Sequence, residues 1–171
     1  MQAVVSYLRN KEIDYLHLIN QTIRCSFLDK CMTFVTHLGS LPVILFVLLM
    51  LLDSSHENLV LAGKELAMVL LASQGVVHLL KWMVNRPRPF RVWEDVIADH
   101  PPTSKCSFPS GHSCAAFATA FTLVSFFPIR AAILIPLAFM VGISRVYLGA
   151  HYPSDVLVGF ILAIVSCAVI L

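Results

Sequence analysis

The chain has 171 residues, of which 58% are hydrophobic and 13% charged, with a formal net charge of +2 and a mean hydropathy of +0.81. A soluble domain runs at about 45–50% apolar and about 25% charged, so this composition excludes an ordinary water-soluble globule, and intrinsic disorder with it. The small net charge, with no aromatics interleaved among basic runs, excludes a nucleic-acid binder, and the length allows one domain.

Residues 1–27 predict an amphipathic helix lying in the membrane interface. Ile13, Leu16, Ile19 and Ile23 recur at helical spacing, with Glu12, Asp14, Asn20 and Gln21 between them, a pattern that suits an interfacial helix. Arg9, Lys11, Glu12 and Asp14 leave no apolar h-region, so no cleavable signal peptide is expected.

Residues 28–171 predict a transmembrane bundle. A spanning helix needs about 20 mostly apolar residues. Five segments qualify: Cys31–Leu52, Leu59–Lys81, Ser113–Ile129, Ala131–Gly149 and Val156–Leu171. None alternates polar and apolar as a barrel strand would, so helices are the remaining way to satisfy the backbone in lipid. The expected fold is therefore all-α, with five spans plus the N-terminal interfacial helix. The connections are short except for residues 86–110, and a loop that long in a compact chain is usually functional. The cysteines number five, an odd count without metal-finger spacing, and a disulfide framework is not expected.

Alternation alone puts the end of span two, the start of three, the end of four and the start of five on one membrane side. Span two ends in Lys81, followed by Arg86-Pro87-Arg88-Pro89. Span three begins at Pro109-Ser110-Gly111-His112. Span four ends with Ser144-Arg145, and span five begins at His151-Tyr152-Pro153-Ser154-Asp155. Distant segments thus deliver cations, two histidines and a carboxylate to one rim. Ser110 is a good N-cap, and the helix start behind it is a ready anion site. Asp155, four residues after His151, can hold the imidazole N–H and fix which ring nitrogen is free, the geometry of an oriented nucleophile. Lys81 and Arg145 sit at span ends, where a cation is costly without a partner.

Other readings compete. Arg86, Arg88 and Arg91 could anchor lipid headgroups, and for Arg91 that reading is preferred. His112, His151 and Asp155 could be zinc ligands, but three cations around the same pocket argue against a fourth, and neither metal nor other cofactor is expected. His78 suits support of the site. His37, Glu65 and Gln74 suit helix–helix hydrogen bonds. His17, His56 and His100 read as surface residues, and Phe90 and Trp93 as aromatic anchors at the interface.

Lys81, six residues, then Arg88-Pro89 resembles the first signature of the type 2 phosphatidic acid phosphatase superfamily. Pro109-Ser110-Gly111-His112 resembles the second. Ser144-Arg145, five residues, His151, three residues and Asp155 resembles the third. Thr36-His37-Leu38-Gly39-Ser40 is a weaker echo of the family's early helix. Many members have six spans, against five and an interfacial helix here. The resemblance implies that His151 attacks phosphorus to form a phosphohistidine, that Asp155 orients it, and that His112 protonates the leaving oxygen and then activates water. It implies that Lys81, Arg88, Ser110, Gly111 and Arg145 bind the phosphoryl oxygens.

The expected activity is hydrolysis of a lipid phosphate or pyrophosphate. Undecaprenyl pyrophosphate is placed first, and phosphatidylglycerol phosphate or phosphatidate are the alternatives. A non-catalytic anion-binding protein or transporter is the rival from another class. It accounts for the cations but not for the His151–Asp155 pair. The expected partners are the lipid substrate and the bilayer, with no obligatory protein partner evident. Every Lys and Arg except Lys64 and Arg130 falls on the active rim, so the positive-inside rule points that rim to the cytoplasm. Bacterial relatives usually place it outside, and the extracytoplasmic face is the expectation taken forward.

Overall fold

The computed structural model describes the backbone of residues 2–99 and 101–171, and side chains from residue 6 onward. The described residues form eight α-helices in chain order: α1 (Gln2–His17), α2 (Ser26–Thr36), α3 (Leu41–Leu52), α4 (Glu57–Val84), the short α5 (Pro89–Val92), α6 (Gly111–Phe126), α7 (Ala131–Tyr147) and α8 (Pro153–Ile170). No strand is present among the described residues. An isolated bridge pairs Pro87 with Cys106.

The centre of the bundle is α6, which packs against α4, α7 and α8. Its residues Cys114, Ala115, Ala116, Ala118 and Ala120 are all buried. Small side chains let neighbouring backbones approach closely, which is how helices associate in lipid without a hydrophobic driving force. Phe117 of α6 anchors an aromatic cluster, with ring centroids 4.9 Å from both Phe139 and Phe160 and 5.9 Å from Phe121. Edge-to-face pairs of this kind add to simple burial.

Three stretches are long and apolar enough to cross a membrane: Glu57–Val84, Pro128–Tyr147 and Pro153–Ile170. The expected first span, Cys31–Leu52, is not one straight helix. It is broken into α2 and α3, which meet at a 51° bend and qualify only as a bent pair. The cause is local. Gly39 packs against the His112 backbone so closely that a Cβ there would lie 2.6 Å from the His112 carbonyl oxygen. Ser40 is extended and donates its hydroxyl to the His37 carbonyl at 2.6 Å, and Pro42 then starts α3. The bend brings residues 37–39 onto α6. The expected span Ser113–Ile129 is also shorter, since α6 has 16 residues. At 1.5 Å per residue it reaches about 24 Å. The observed count by length and composition is therefore three spans, or four with the bent pair.

The N-terminal helix forms as expected and then widens into a π turn over Leu18–Thr22. Leu16 and Asn20 are buried, Ile13 and Ile19 half-buried, and Ile23 exposed. Asn20 clamps the rim: its side-chain amide donates to the carbonyls of Tyr147 at 2.7 Å and Ile97 at 2.9 Å, and its oxygen accepts the Ile97 N–H at 2.9 Å. A buried amide with this many partners pins α1 to α7 and to the long loop together. Phe90 and Trp93, expected as interfacial anchors, instead pack on a small core of Leu16, Val96, Val146 and Tyr152. His17 is half-buried, edge-on to Trp93, while His56 is exposed as expected. His100 and Met1 lie outside the described residues.

Candidate active site

Four helix ends, of α4, α6, α7 and α8, and one loop build the site. The α6 N-terminus is capped by Ser110, whose hydroxyl oxygen accepts the Ser113 N–H at 3.4 Å and lies 2.8 Å from the Ser113 hydroxyl. The cap leaves Gly111 and His112 in the first turn, both facing a cavity. At the end of α7 the Arg145 carbonyl accepts the backbone N–H groups of Ala150 and His151, each at 3.1 Å. Gly149 makes this turn possible. Its φ is +65°, and a Cβ would sit 2.7 Å from the Ile97 carbonyl oxygen, so glycine alone fits without strain. The α8 start is set by Pro153 and by Asp155, whose Oδ2 accepts the Tyr152 N–H at 2.9 Å.

A cavity of about 830 Å³ opens between these ends. Lys81, Arg88, Gly111, His112, Arg145 and His151 line its polar part, and Leu41, Ile44, Leu45, Leu48, Leu70 and Leu71 of α3 and α4 line its apolar part. Six of the eight expected site residues therefore share one cavity. Asp155 lies behind His151, fully buried. Ser110 is fully buried, is not among the residues that line the cavity, and uses its hydroxyl in the cap that shapes the helix start, a place suited to an anion.

His151 is held from both sides. Its Nδ1 lies 3.5 Å from Asp155 Oδ2, long for a hydrogen bond, as catalytic contacts often are before substrate arrives. Its Nε2 lies 3.2 Å from Arg88 Nη1. A guanidinium has no acceptor, so the contact requires Nε2 to carry a lone pair and Nδ1 the proton. Burial, followed by the charges of Arg145, Arg88 and Lys81, pushes the His151 imidazole well below its ordinary 6.5. It is neutral at physiological pH.

The cations are fixed by their own partners. Arg88 donates from Nε to the Ser104 carbonyl at 2.7 Å, from Nη2 to the Ser104 hydroxyl at 2.6 Å, and from Nη1 to the Ala150 carbonyl at 2.8 Å. Burial lowers its pKa to about 10, which still leaves it charged. Arg145 donates to Thr36 Oγ1 at 2.6 Å, while its buried Nε has no hydrogen-bond partner among the described residues. Arg86 does not line the cavity. It donates to Asp155 Oδ1 at 2.9 Å and to Glu12 Oε2 at 2.8 Å. The headgroup-anchor reading fails for Arg86, whose charge is taken by those two carboxylates, and for Arg88. Arg91 is exposed.

His78 also lines the cavity, and Gln74 donates to the Gly111 carbonyl at 3.3 Å. His37 is exposed, and Glu65 Oε2 has no hydrogen-bond partner. Four contributors escaped sequence reasoning as site residues: Glu12, Thr36, Arg86 and Ser104. Thr36 stood in the weak early echo, and Arg86 was visible as a cation beside Arg88. Nothing local to Glu12 or Ser104 marks them.

The sequence pattern of the PAP2 superfamily matches residues 62–171, more than half of the chain. The chain belongs to the PAP2 superfamily. Phosphatidylglycerophosphatase B of Bacillus subtilis is 33% identical over 159 residues, covering 83% of this chain and 73% of its own. A lipid A 1-phosphatase of Rhizobium johnstonii is 38% identical over 103 residues, covering 57% of this chain. The aligned part is 41% of that relative's length. Among solved structures, Aquifex aeolicus LpxE superposes with a TM-score of 0.79 at 32% identity, covering 92% of both chains. The PAP2-type phosphatidylglycerolphosphate phosphatase of Bacillus subtilis superposes at 0.75 and 28% identity, covering 96% of this chain and 84% of the other. PAP2 membership, with the apolar helices, places the chain in a membrane.

Proposed function

We propose that this PAP2 protein is a lipid phosphatase that works through a phosphohistidine at His151 and needs no metal. The observation that carries the reading is the unprotonated Nε2 of His151, held by Arg88 Nη1 on the wall of a cavity shared with Lys81, Arg88, His112 and Arg145. Nε2 attacks phosphorus, a P–N bond forms and the P–O bond to the lipid breaks. His112 gives a proton to the departing oxygen. It then takes a proton from water, which attacks the phosphohistidine and releases inorganic phosphate, the usual exchange of acid and base roles. Asp155 holds the imidazole and offsets its positive charge as the bond forms. Lys81, Arg88, Arg145 and the Gly111 N–H bind the phosphoryl oxygens and stabilise the charge of the transition state. The unpartnered Arg145 Nε supports this, since a buried donor without an acceptor costs about 1–3 kcal/mol that an anion would relieve.

The apolar part of the cavity, along α3 and α4, takes the lipid tail. Undecaprenyl pyrophosphate is the substrate placed first: three cations suit a pyrophosphate, and undecaprenyl-diphosphatase BcrC of Bacillus subtilis is 29% identical over 82% of this chain. Phosphatidylglycerol phosphate and phosphatidate are the alternatives. In this reading α6 also spans and brings the count to five, α1 lies in the interface, and the rim faces the outside, its cations answering to substrate and to Asp155 instead of topology. Phosphate release from these lipids by purified protein in detergent tests the proposal. Release from undecaprenyl pyrophosphate above the others supports it in full. Binding of the lipids without release would favour the anion-binding protein or transporter.

A further inference from the structure

The two oxygens of Asp155 are used differently. Oδ2 faces His151 Nδ1 and accepts the Tyr152 N–H. Oδ1 accepts from Arg86 Nη1 at 2.9 Å. The other terminal nitrogen of that guanidinium, Nη2, donates to Glu12 Oε2 at 2.8 Å. Glu12 Oε1 accepts the Ser154 N–H at 3.1 Å and the Ser154 hydroxyl, and Arg86 Nη1 reaches the same hydroxyl at 2.8 Å. The guanidinium lies over the Tyr152 ring, 3.8 Å from its centroid. Each member of this chain is therefore fixed by two neighbours. Arg86 is absent from the wall of the cavity that holds His151, and its charge is met by Asp155 and Glu12.

A fully buried carboxylate needs a partner, and removing one partner of such a pair leaves an uncompensated charge. Arg86 meets that need through Nη1, and its planar fork ties Asp155 to Glu12 by its two terminal nitrogens. Glu12, on α1, then holds the fork.

We infer that Glu12 and Arg86 are positioning residues for the Asp155–His151 pair, so that the N-terminal helix takes part in the chemistry of the site. The inference rests on the phosphatase reading above for its kinetic consequences. Arg86 fixes where Asp155 stands behind the imidazole and how much of its charge is free to stabilise the imidazolium as Nε2 bonds to phosphorus. Glu12 sets how much of the Arg86 charge reaches Asp155.

The test uses the full chain in detergent with 15N-labelled imidazoles, His151 being assigned by its loss in His151→Gln. The groups facing His151 are Asp155 from α8, Arg145 from α7, Lys81 from α4, His112 from α6 and Arg88 from the loop. These stay in place in every variant. In Arg86→Ala a cation is lost, and the Asp155–His151 pair takes up a proton at a pH higher by about one unit. In Glu12→Gln an anion is lost, and the pair protonates at lower pH than in the wild type. Arg86→Lys falls between wild type and Arg86→Ala. In parallel, kcat of Arg86→Ala falls by about 10- to 100-fold, while KM and vanadate affinity stay within about threefold. If Arg86→Ala fails to fold, Glu12→Gln, which keeps the side-chain shape, carries the same test with the opposite sign. Titration unmoved in both variants overturns the inference. So does a vanadate affinity that falls as far as kcat, which would make Arg86 a phosphate ligand. If the wild type releases phosphate from no lipid, the phosphatase reading fails, and the titration still decides this inference by itself.

Discussion

Arg88 Nη1 stands 3.2 Å from Nε2 of His151, and this contact fixes the state of the nucleophile. Because the guanidinium only donates, the lone pair is on Nε2 and the proton on the nitrogen that faces Asp155. In the proposed mechanism the attacking atom is thus on the cavity side and the orienting carboxylate on the other. His151→Ala should abolish phosphate release while leaving folding and vanadate binding largely intact. Asp155→Asn should lose up to about 10⁴ in kcat, as expected when an orienting carboxylate is removed from its histidine. Phosphate release assays on protein checked for folding by its thermal transition read both effects. Ordinary turnover in folded His151→Ala would remove the assignment.

Vanadate resembles the trigonal-bipyramidal species formed as a nucleophile attacks phosphate, and a site built for that state should bind it more tightly than phosphate. Inhibition by vanadate and full activity in excess EDTA are expected. Arg145→Ala should lose vanadate affinity, because it removes a cation and frees Thr36 from its 2.6 Å contact. Activity abolished by chelation and restored by zinc would instead make His112, His151 and Asp155 metal ligands.

Neutral burial of His151 carries a dependence of stability on pH. The imidazole is held well below 6.5 in the folded protein, first by burial and then by Arg145, Arg88 and Lys81, whereas the unfolded chain protonates at about 6.5. Between those two values the unfolded state binds more protons, so stability is complete above 6.5 and declines as pH falls. The slope for one such proton is about 1.4 kcal/mol per pH unit. Thermal unfolding in detergent from pH 7.5 to 5 should show Tm falling, with a shallower fall in His151→Gln. Equal slopes for the two proteins would contradict the buried neutral imidazole.

The rim is legible in the sequence because alternation of spans is a strict constraint. Lys81, Arg88, His112, Arg145 and His151 come from four separate segments, yet each was placed by counting spans, and they line one cavity. The hidden features depend on packing. The break at Gly39 follows from its contact with the His112 carbonyl, which hydropathy cannot show in a run that is apolar throughout. A cap and a phosphate ligand call for the same residue type, so sequence does not separate the two roles at Ser110. Glu12 reads as one more polar residue of an amphipathic helix. Only the docking of α1 turns it toward Arg86 and Ser154.

Orientation has its own test at Cys106. The residue is half-buried in the long loop, its thiol donating to Asn85 Oδ1 at 3.0 Å. If the rim faces outward, a membrane-impermeant thiol reagent should label Cys106 in intact cells. Labelling seen only after permeabilisation would place the rim in the cytoplasm, as the positive-inside count alone suggests.

The central claim is a covalent phosphohistidine, and trapping it is the most direct measurement. A 32P-labelled aryl phosphate has a leaving group that needs little protonation, so in His112→Ala the first step should proceed while hydrolysis of the intermediate is slowed. After an alkaline quench and peptide mapping, the account predicts label on His151, stable to base and lost in acid, with none in His151→Ala. Label on another residue, or none while wild-type protein continues to release phosphate from the same compound, would contradict it.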